Sequence, residues 1–506
     1  MTATGAAVPQ AGGLGGTLKR GAALATIGMV LVQGVTVVQT LVLGRLLGPH
    51  EVGVYTAGSV LVTTLGMFAQ GSLGDAIIQR KHDLEDAAHT AMAVTFGMGL
   101  LLALGAAAAS PLIGIVFHDP RVGLIAAATS GLVLLHACPT VPDALMQRAF
   151  QFKRRIIIDP AVSMTSAVVA ITFAALGYGA WALVIGTYTS SVVWVGLSWW
   201  LAKWHPLRGR LSLRIWREMA RFSLPVFLEG IGERFREVFE QVLVGRWLGT
   251  SALGQYRYGY RIAWLPSMAV IQICSYVLFP AFSRISGDPS RFRAAFLRVL
   301  TWIWFATLPV GALLLAVGPP TVTLLLGEEW RSAGNAAAAM AGIGLGVALA
   351  SAAVEAVKGA GRSHLLNWMT ALGLGLGIPL LIVLAPYGLV AVGIALSISY
   401  LAVGFLSVIL ARPVVGFSAR DIGACLGATT FAATVAFAVV FPLERFGTRS
   451  ADHGVLAGLL SIGAECFLFA VIYLAALFVS PRWRITFGDL ARRSAPAATG
   501  LARSSR

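Results

Sequence analysis

Residues 222–254 read FSLPVFLEGIGERFREVFEQVLVGRWLGTSALG, and this stretch decides how the rest of the chain is interpreted. It is long and apolar enough to cross a bilayer, because a membrane helix needs about 20 mostly apolar residues. It nevertheless contains four glutamates between positions 229 and 240. Charged side chains within a membrane span are costly and usually face a bundle interior or a water-filled cavity. The stretch therefore predicts a membrane helix with one polar face.

Five charged side chains fall on that face. With Glu229 as the reference and about 100° per residue, the other four lie between roughly −20° and 80°. Arg234 lies off this face, at roughly 140°. We call the five residues the charged stripe: Glu229, Glu233, Arg236, Glu237 and Glu240.

The composition predicts an all-α polytopic membrane protein. Hydrophobic residues make up 57% and charged residues 12% of the 506 residues, whereas soluble proteins have roughly twice that charged fraction. The net charge is +16, but the basic residues stand in short loops between apolar runs, so no nucleic-acid partner is expected. The four cysteines fall inside apolar runs and show neither a disulfide framework nor metal-ligand spacing.

Fourteen membrane spans are predicted, with Gly or Pro at most junctions. The junction signals include Gly48–Pro49, Ser110–Pro111, Gly318–Pro320 and Ala385–Pro386. With the N-terminus inside, inner segments hold 28 Lys and Arg residues and outer segments hold 6, which predicts both termini in the cytoplasm. The spans lie near 21–44, 52–74, 87–109, 121–143, 156–176, 180–202, 222–245, 252–280, 295–317, 333–356, 364–385, 387–410, 421–441 and 455–479.

An internal repeat divides twelve of these spans into two sets of six. Residues 44–48 (GRLLG) and 245–249 (GRWLG) are each followed by a matching Gly and Tyr, and the copies are 201 residues apart. An even number of spans separates them, which predicts two parallel six-helix lobes plus two C-terminal helices. The predicted segments are a disordered cytoplasmic N-terminus at 1–16, a first lobe at 17–205, a second lobe at 206–412, two further helices at 413–480 and a basic cytoplasmic tail at 481–506.

Several of these runs resemble the Wzx-type oligosaccharide flippases of the MOP superfamily. The closest matches are Leu-Gly-Pro-x-x-x-Gly-x-Tyr at 47–55 and Ile-Ile-Gln-Arg-Lys at 77–81. In the second half, EQVLVGRWLG at 240–249 and YRIAWLP at 260–266 match as well. The resemblance covers roughly residues 17–480.

The resemblance implies a flippase, not an enzyme, in the bacterial cytoplasmic (inner) membrane. It would move an undecaprenyl-diphosphate-linked oligosaccharide from the inner to the outer leaflet by alternating access, for cell-surface polysaccharide synthesis. The implied partners are this lipid-linked oligosaccharide, membrane lipids, and the polymerase and glycosyltransferases of the same pathway. No cofactor or metal is implied. The sequence has no GxxxxGK[ST] nucleotide motif, so an H+ or Na+ gradient is the expected driving force.

Three other functions are possible alternatives to the flippase function. A MATE-type drug/cation antiporter favours a mostly acidic cavity, whereas the charged stripe mixes acids with arginine. A lipid II flippase is disfavoured because the first span carries no cavity arginine. A membrane glycosyltransferase would need a sizeable outer loop with acidic catalytic residues, and the longest outer loop, 442–454, has only Glu444 and Asp452.

Two interpretations of the charged stripe stay open. Arg257 and Arg261 on the next span are four residues apart and match Glu240 and Glu237 in depth. The charges therefore either pair between these helices or bind substrate. The positions 201 residues earlier are uncharged, which favours a functional role for part of the set.

We therefore assign expected roles to the cavity candidates. Arg236 and Arg261 would attract the diphosphate, because guanidinium favours bidentate phosphate contacts. Glu229 and Glu233 would accept sugar hydroxyls or bind a coupling cation. Replacing both arginines by alanine is expected to abolish export at an unchanged protein level. Gln33 and Gln39 either line the cavity or hydrogen-bond between helices.

Three further acidic or basic positions are given structural roles. Glu355 and Lys358 are three residues apart and are predicted to form a local pair. Glu465 is predicted to lie near the end of a span, where water solvates it.

Overall fold

The computed structural model describes residues 11–70, 73–80, 82–149, 152–205, 209–273, 278–285, 287–362, 365–479 and 483. Within these ranges every regular element is helical, which confirms the all-α prediction. The α-helices are α1 (Ala11–Gly58), α2 (Val60–Gln70), α3 (Leu73–Gln79), α4 (Leu84–Val116), α5 (Pro120–Thr129), α6 (Gly131–Ala137), α7 (Thr140–Arg148), α8 (Phe152–Ala175), α9 (Ala180–Ala202), α10 (Leu213–Leu248), α11 (Thr250–Ile273), α12 (Phe279–Ile285), α13 (Pro289–Leu326), α14 (Arg331–Ala339), α15 (Ala341–Gly359), α16 (Leu366–Leu384), α17 (Leu389–Val415), α18 (Ala419–Pro442) and α19 (Val455–Val479).

Eleven segments within the described ranges are long and apolar enough to span a membrane. The chain is therefore a multi-pass membrane protein. One of the eleven, Gly28–Gln79, covers the first two predicted spans together, and the predicted spans at 222–245 and 252–280 are not among the eleven. Six charged side chains between Glu229 and Glu240 lower the mean hydropathy of the 222–245 stretch, so it is less apolar than the eleven segments. The total of fourteen spans stays a prediction.

Contacts between helices divide the chain into two compact units, one ending at Gly254 and the other beginning at Gln255. Helices α1 to α10 belong to the first unit. Helix α10, which the repeat places in a second lobe beginning at residue 206, packs against α3 and α4 of this first unit. The lobe boundaries derived from the repeat stay predictions.

Small residues and ion pairs between helices help to hold the first unit together. Helix α9 packs closely on α8, where a Cβ added to Gly186 would lie 2.8 Å from the Cβ of Ala170. Small residues at such crossings let helix backbones approach. At another point Glu51 accepts hydrogen bonds from Arg121 Nη2, at 2.8 Å, and from the backbone N–H of Ala180, at 2.7 Å. This carboxylate joins α1, α5 and the start of α9.

The predicted junction at Gly48–Pro49 is confirmed as a break within α1. Gly48 has φ 68° and ψ 169°, a conformation that separates two helical segments. A residue with a side chain is strained in this region, and glycine is not. Pro49 then begins the next helical segment, where a missing N–H costs nothing. The junction at Ala385–Pro386 is confirmed too, because α16 ends at Leu384.

Two other proline junctions were predicted wrongly. Helix α4 continues through Pro111 to Val116, and α13 continues through Pro319 and Pro320 to Leu326. In membrane helices a proline is tolerated when hydroxyl side chains and neighbouring helices satisfy the freed backbone groups. Pro319 and Pro320 have no N–H groups to donate to the carbonyl oxygens of Leu315 and Ala316, yet α13 stays helical through this point.

The second unit contains α12 to α19 and the larger part of α11. A close helix crossing joins α15 to α17, where a Cβ on Gly346 would lie 2.2 Å from the carbonyl oxygen of Tyr400.

Helix α13 begins after Asp288, whose side chain caps the backbone N–H groups of Ser290 and Arg291. The hydrogen bond from the Ser290 hydroxyl lowers the pKa of Asp288 and favours the ionised cap.

Two sequence predictions about single charges have different outcomes in this unit. Lys358 Nζ lies 3.9 Å from Glu355 Oε1, which confirms the local pair. Glu465 lies ten residues inside α19, and its residue surface is only 2% exposed. The prediction of a solvated span end is therefore wrong for Glu465, because protein atoms cover it almost completely.

A reciprocal glycine contact lies within the first unit, between the two sequence copies that are 201 residues apart. A Cβ on Gly53 would lie 1.8 Å from the carbonyl oxygen of Thr250, and a Cβ on Gly254 would lie 1.9 Å from that of Pro49. Pro49 corresponds to Thr250, and Gly53 corresponds to Gly254, at that same offset. Each copy therefore supplies one glycine and one carbonyl to the other.

Candidate functional site

Helix α10 carries the charged stripe and is continuous over 36 residues. It begins at Ser212, whose hydroxyl accepts a hydrogen bond from the backbone N–H of Ile215. It ends at Gly249, which has φ 90°, a value that glycine adopts without strain. Both helix ends therefore follow from the local sequence, and all the charges of the stripe lie on one continuous helix.

The more buried of the two ion pairs described for the stripe joins Arg236 to Glu240. Arg236 Nη1 lies 2.6 Å from Glu240 Oε1, and the two side chains are 13% and 2% exposed. The residues are four apart, so their side chains meet on one helix face. A buried carboxylate is stable only when a charge or several hydrogen bonds compensate it. This pair is therefore the best defined charged element of the candidate site.

A second ion pair joins Arg234 to Glu237 on the same helix. Arg234 Nη1 donates to Glu237 Oε2 at 2.6 Å, and Gln241 Nε2 donates to Glu237 Oε1 at 3.3 Å. The side chains of Arg234 and Glu237 are 28% and 42% exposed, so this pair is much more open than the first. Neither Arg234 nor Gln241 was among the predicted site residues, although their spacing of three and four from Glu237 would have indicated both.

The remaining predicted charges are less completely described. The side chains of Glu229 and Glu233 lie outside the part of the chain that the structure describes. Arg257 and Arg261 lie on α11 in the second unit, and both are exposed. Their predicted ion pairs with Glu240 and Glu237 stay predictions. Glu240 and Glu237 form ion pairs with Arg236 and Arg234 of α10 itself.

The two glutamines predicted as cavity residues lie on α1. Gln39 Nε2 donates to Ser166 Oγ on α8 at 3.3 Å, which is the helix-to-helix hydrogen bond that competed with the cavity interpretation. Gln33 is half-buried on the same helix.

A polar network that the sequence did not reveal lies between α7 and α9 in the first unit. Asp143 accepts hydrogen bonds from Ser198 Oγ, at 2.7 Å, and from Trp194 Nε1, at 3.1 Å. His136 Nε2 and Ser191 Oγ are 3.1 Å apart one to two turns away. The two partners of each hydrogen bond are more than fifty residues apart in sequence, so helical spacing gives no signal for the bond.

Asp143 offers a direct test of this network. Replacing Asp143 by alanine is expected to lower the melting temperature of the purified protein, because it leaves the donors of Trp194 and Ser198 without this acceptor. A buried donor without a partner costs about 1–3 kcal/mol. Asp143→Asn is the matched control, since it keeps an acceptor oxygen and should lose clearly less stability. Equal melting temperatures for both variants and wild type would contradict the network.

An aromatic stripe on α11 lies in the second unit. Tyr256, Tyr260 and Trp264 follow one another at intervals of four, with ring centroids 5.8 and 5.9 Å apart. The Tyr260 hydroxyl lies 3.1 Å from that of Tyr400 on α17, which holds the stripe in place. Aromatic faces suit the apolar faces of sugar rings and can stack on them. The spacing of four residues between these rings is visible in the sequence, but the run YRIAWLP indicated only the family resemblance.

Chemically, the described residues provide ion pairs, amides and aromatic rings. Among them no group of three or more His, Cys, Asp or Glu side chains is arranged to hold a metal ion. The arrangement suits recognition of a polar, anionic or hydroxyl-rich molecule.

Comparison with known proteins identifies the family. A profile described as "Polysaccharide biosynthesis protein" matches residues 42–335, which is more than half of the chain. The succinoglycan biosynthesis transport protein ExoT of Rhizobium meliloti (strain 1021) is 25% identical over 338 residues, 66% of this chain and 68% of ExoT. The lipopolysaccharide biosynthesis protein WzxC of Escherichia coli (strain K12) is 25% identical over 313 residues, 62% of this chain and 64% of WzxC. The match therefore spans about two thirds of the length of these relatives.

Solved structures with the same fold cover more of the chain. The lipid II flippase MurJ, in an inward closed conformation, superposes with a TM-score of 0.71 at 15% identity over 92% of this chain and 99% of MurJ. An inward-facing multidrug resistance MATE family transporter of the MOP superfamily gives a TM-score of 0.61 at 15% identity over 75% of this chain and 94% of its own. The resemblance inferred from residues 37–81 and 240–266 is thereby confirmed. The chain belongs to the polysaccharide biosynthesis protein family and has the fold of MOP superfamily transporters.

Proposed function

We propose that the protein is a flippase that carries a lipid-linked oligosaccharide across the bacterial cytoplasmic membrane for cell-surface polysaccharide synthesis. The observation that carries this proposal is the charged stripe of a membrane-protein helix in a member of the polysaccharide biosynthesis protein family. A diphosphate with several sugars pays a prohibitive desolvation cost in hydrocarbon. A polar wall along the path removes most of that cost, while the prenyl tail stays in lipid.

The proposed mechanism is alternating access. Fourteen spans would form two six-helix lobes and two additional helices, with both termini in the cytoplasm. The lobes would bind the headgroup from the inner side and release it on the outer side. An H+ or Na+ gradient would drive the cycle, and the polymerase and glycosyltransferases of the pathway are the candidate partners.

Within this mechanism Arg236 and Arg261 would bind the diphosphate, because guanidinium groups form two parallel hydrogen bonds with phosphate oxygens. The ion pair supports this role for Arg236, since the buried Glu240 holds the guanidinium in one orientation. Glu229 and Glu233 would accept sugar hydroxyls or bind the coupling cation. The aromatic stripe at Tyr256, Tyr260 and Trp264 would stack on sugar rings. The other cavity candidates are Glu237, Arg257, Gln33 and Gln39.

A lipid II flippase is the second candidate function. It is favoured by the fold likeness to MurJ, which extends over 92% of the chain, whereas the MATE transporter matches 75%. The same difference in coverage makes a MATE-type antiporter the weaker alternative.

Deletion of the gene separates these functions. We expect loss of one surface polysaccharide and accumulation of its lipid-linked precursor in the inner leaflet, because precursor synthesis continues while its transfer stops. Mass spectrometry of extracted lipids identifies the precursor, and expression of the wild-type protein should reverse both effects. Accumulation of lipid II would support the second candidate. Unchanged surface polysaccharide, together with drug or cation efflux gained on overexpression, would contradict both flippase functions.

A further inference from the structure

Two buried acids face each other in the second unit, where the turn after α18 packs against α19. Glu444 is 7% exposed and Glu465 is 2% exposed. Neither acid is among the predicted cavity residues, and the proposed transport cavity does not include them. Two carboxylates in such a place repel each other unless something neutralises one of them.

Glu444 has the partners of an ionised carboxylate. Its Oε1 accepts a hydrogen bond from the backbone N–H of Ser450 at 3.0 Å, and its Oε2 accepts one from the Ser450 hydroxyl at 2.7 Å. The Thr448 hydroxyl lies 2.9 Å from the same Oε2. Several donors to one carboxylate favour its charged form.

Glu465 has the opposite surroundings. The Thr448 hydroxyl also contacts its Oε1, but a hydroxyl has one hydrogen and cannot donate fully to both acids. Its Oε2 is buried without a hydrogen-bond partner among the described residues. The Thr448 hydroxyl therefore contacts both carboxyl groups, which places the two acids on either side of one oxygen atom. A buried acceptor without a donor is costly, whereas a protonated oxygen becomes a donor.

No basic side chain neutralises either acid in the part of the chain that the structure describes. Arg291 and Arg293 of α13 pair with Asp288 and Asp421 instead. The other titratable or charged groups on the elements packed against the two acids are Arg298 of α13, Arg420 and Cys425 of α18, Arg445, Arg449, Asp452 and His453 of the connecting turns, and Cys466 and Tyr473 of α19.

We propose that Glu444 and Glu465 form a binding site for one proton, which Glu465 Oε2 holds and donates to the Glu444 carboxylate. The proton removes the repulsion, gives the unpartnered oxygen a bond and fastens the turn to α19. Its loss at alkaline pH would place two negative charges side by side and weaken that attachment. This site does not depend on the identity of the transported molecule.

Infrared difference spectra of the purified full-length protein, recorded between neutral and alkaline pH, test the proposal. We expect the wild type to lose a C=O stretching band of a protonated carboxyl group as the pH rises. Glu465→Gln should lack this band at every pH, since glutamine mimics the protonated acid and leaves Glu444 fully paired. The matched control Asp452→Asn, an acid of the same connection, should keep the band.

In the pH titration, two results would overturn the proposal. One is a band of full size in Glu465→Gln, and the other is a wild-type protein without any such band. Sodium chloride added at constant neutral pH provides a further arm, with potassium chloride as its control. A band that sodium alone removes would assign the pair to a metal cation instead of a proton. A band that neither salt changes supports the proton site, and this readout needs no transport assay.

Discussion

Replacing Arg236 by alanine is expected to lower the amount of folded protein in the membrane sharply and to abolish polysaccharide export. The reason is the ion pair with Glu240, whose side chain is 2% exposed. Removing one partner of a buried pair costs roughly 3–5 kcal/mol, because the other charge stays buried. Fluorescence-detected size-exclusion chromatography of detergent extracts measures the folded amount. This expectation replaces the unchanged protein level that the sequence alone suggested for this position.

A double variant separates support of the fold from binding of substrate. Arg236→Met with Glu240→Gln removes both charges and keeps similar volumes, and such neutral replacements are often tolerated. We expect it to restore the folded amount but leave export at least tenfold below wild type. Normal export in the double variant would show that Arg236 serves only to compensate Glu240. Glu218→Gln, at an exposed acid of the same helix, is the control for charge removal as such.

The second large effect is expected at the reciprocal glycine contact. Gly53→Ala or Gly254→Ala would each place a Cβ within 2 Å of a backbone carbonyl oxygen, at 1.8 and 1.9 Å. A backbone atom cannot rotate away as a side chain end can, so the two segments must separate. Overpacking typically costs about 1–3 kcal/mol and sometimes more. Each variant should therefore show a melting temperature well below that of the wild type and a strong loss of export.

Matched glycines of the first unit make this test specific. Gly34 and Gly66 lie in α1 and α2, and an added Cβ would meet nothing within 4 Å at either position. Alanine at these two positions should leave the melting temperature and export nearly unchanged, since alanine also favours helices. Wild-type behaviour of both Gly53→Ala and Gly254→Ala would mean that the segments do not approach each other in the membrane.

Much of the fold was predictable from local signals. The break at Gly48–Pro49 was predicted correctly, because glycine adopts a positive φ without strain and proline suits the first turn of the helix that follows. Pro319 and Pro320 misled the prediction, since α13 continues through both of them to Leu326. The sequence shows where a proline removes a backbone hydrogen bond, but it does not show which tertiary contacts keep the helix intact.

The candidate site was predictable only where its contacts are local. The stripe itself followed from helical spacing, and its acids Glu237 and Glu240 pair with Arg234 and Arg236 of the same helix. Matching the depth of two spans suggested Arg257 and Arg261 as partners, and those pairs stay predictions. Asp143 with Trp194, and Glu444 with Glu465, are joined by tertiary packing. No periodicity of the sequence brings such residues together.

The internal pairing of α10 has a consequence for biosynthesis. A helix enters the bilayer from the translocon before most of its final neighbours are in place, and a charged side chain near its centre costs about 2.5–3.5 kcal/mol on insertion scales. Arg236 and Arg234 each carry an acid on the next turn of the same segment. Such pairs form as soon as the segment is helical, so these four side chains meet lipid as two neutral pairs. Its insertion therefore requires less help from partner helices than its number of charges implies.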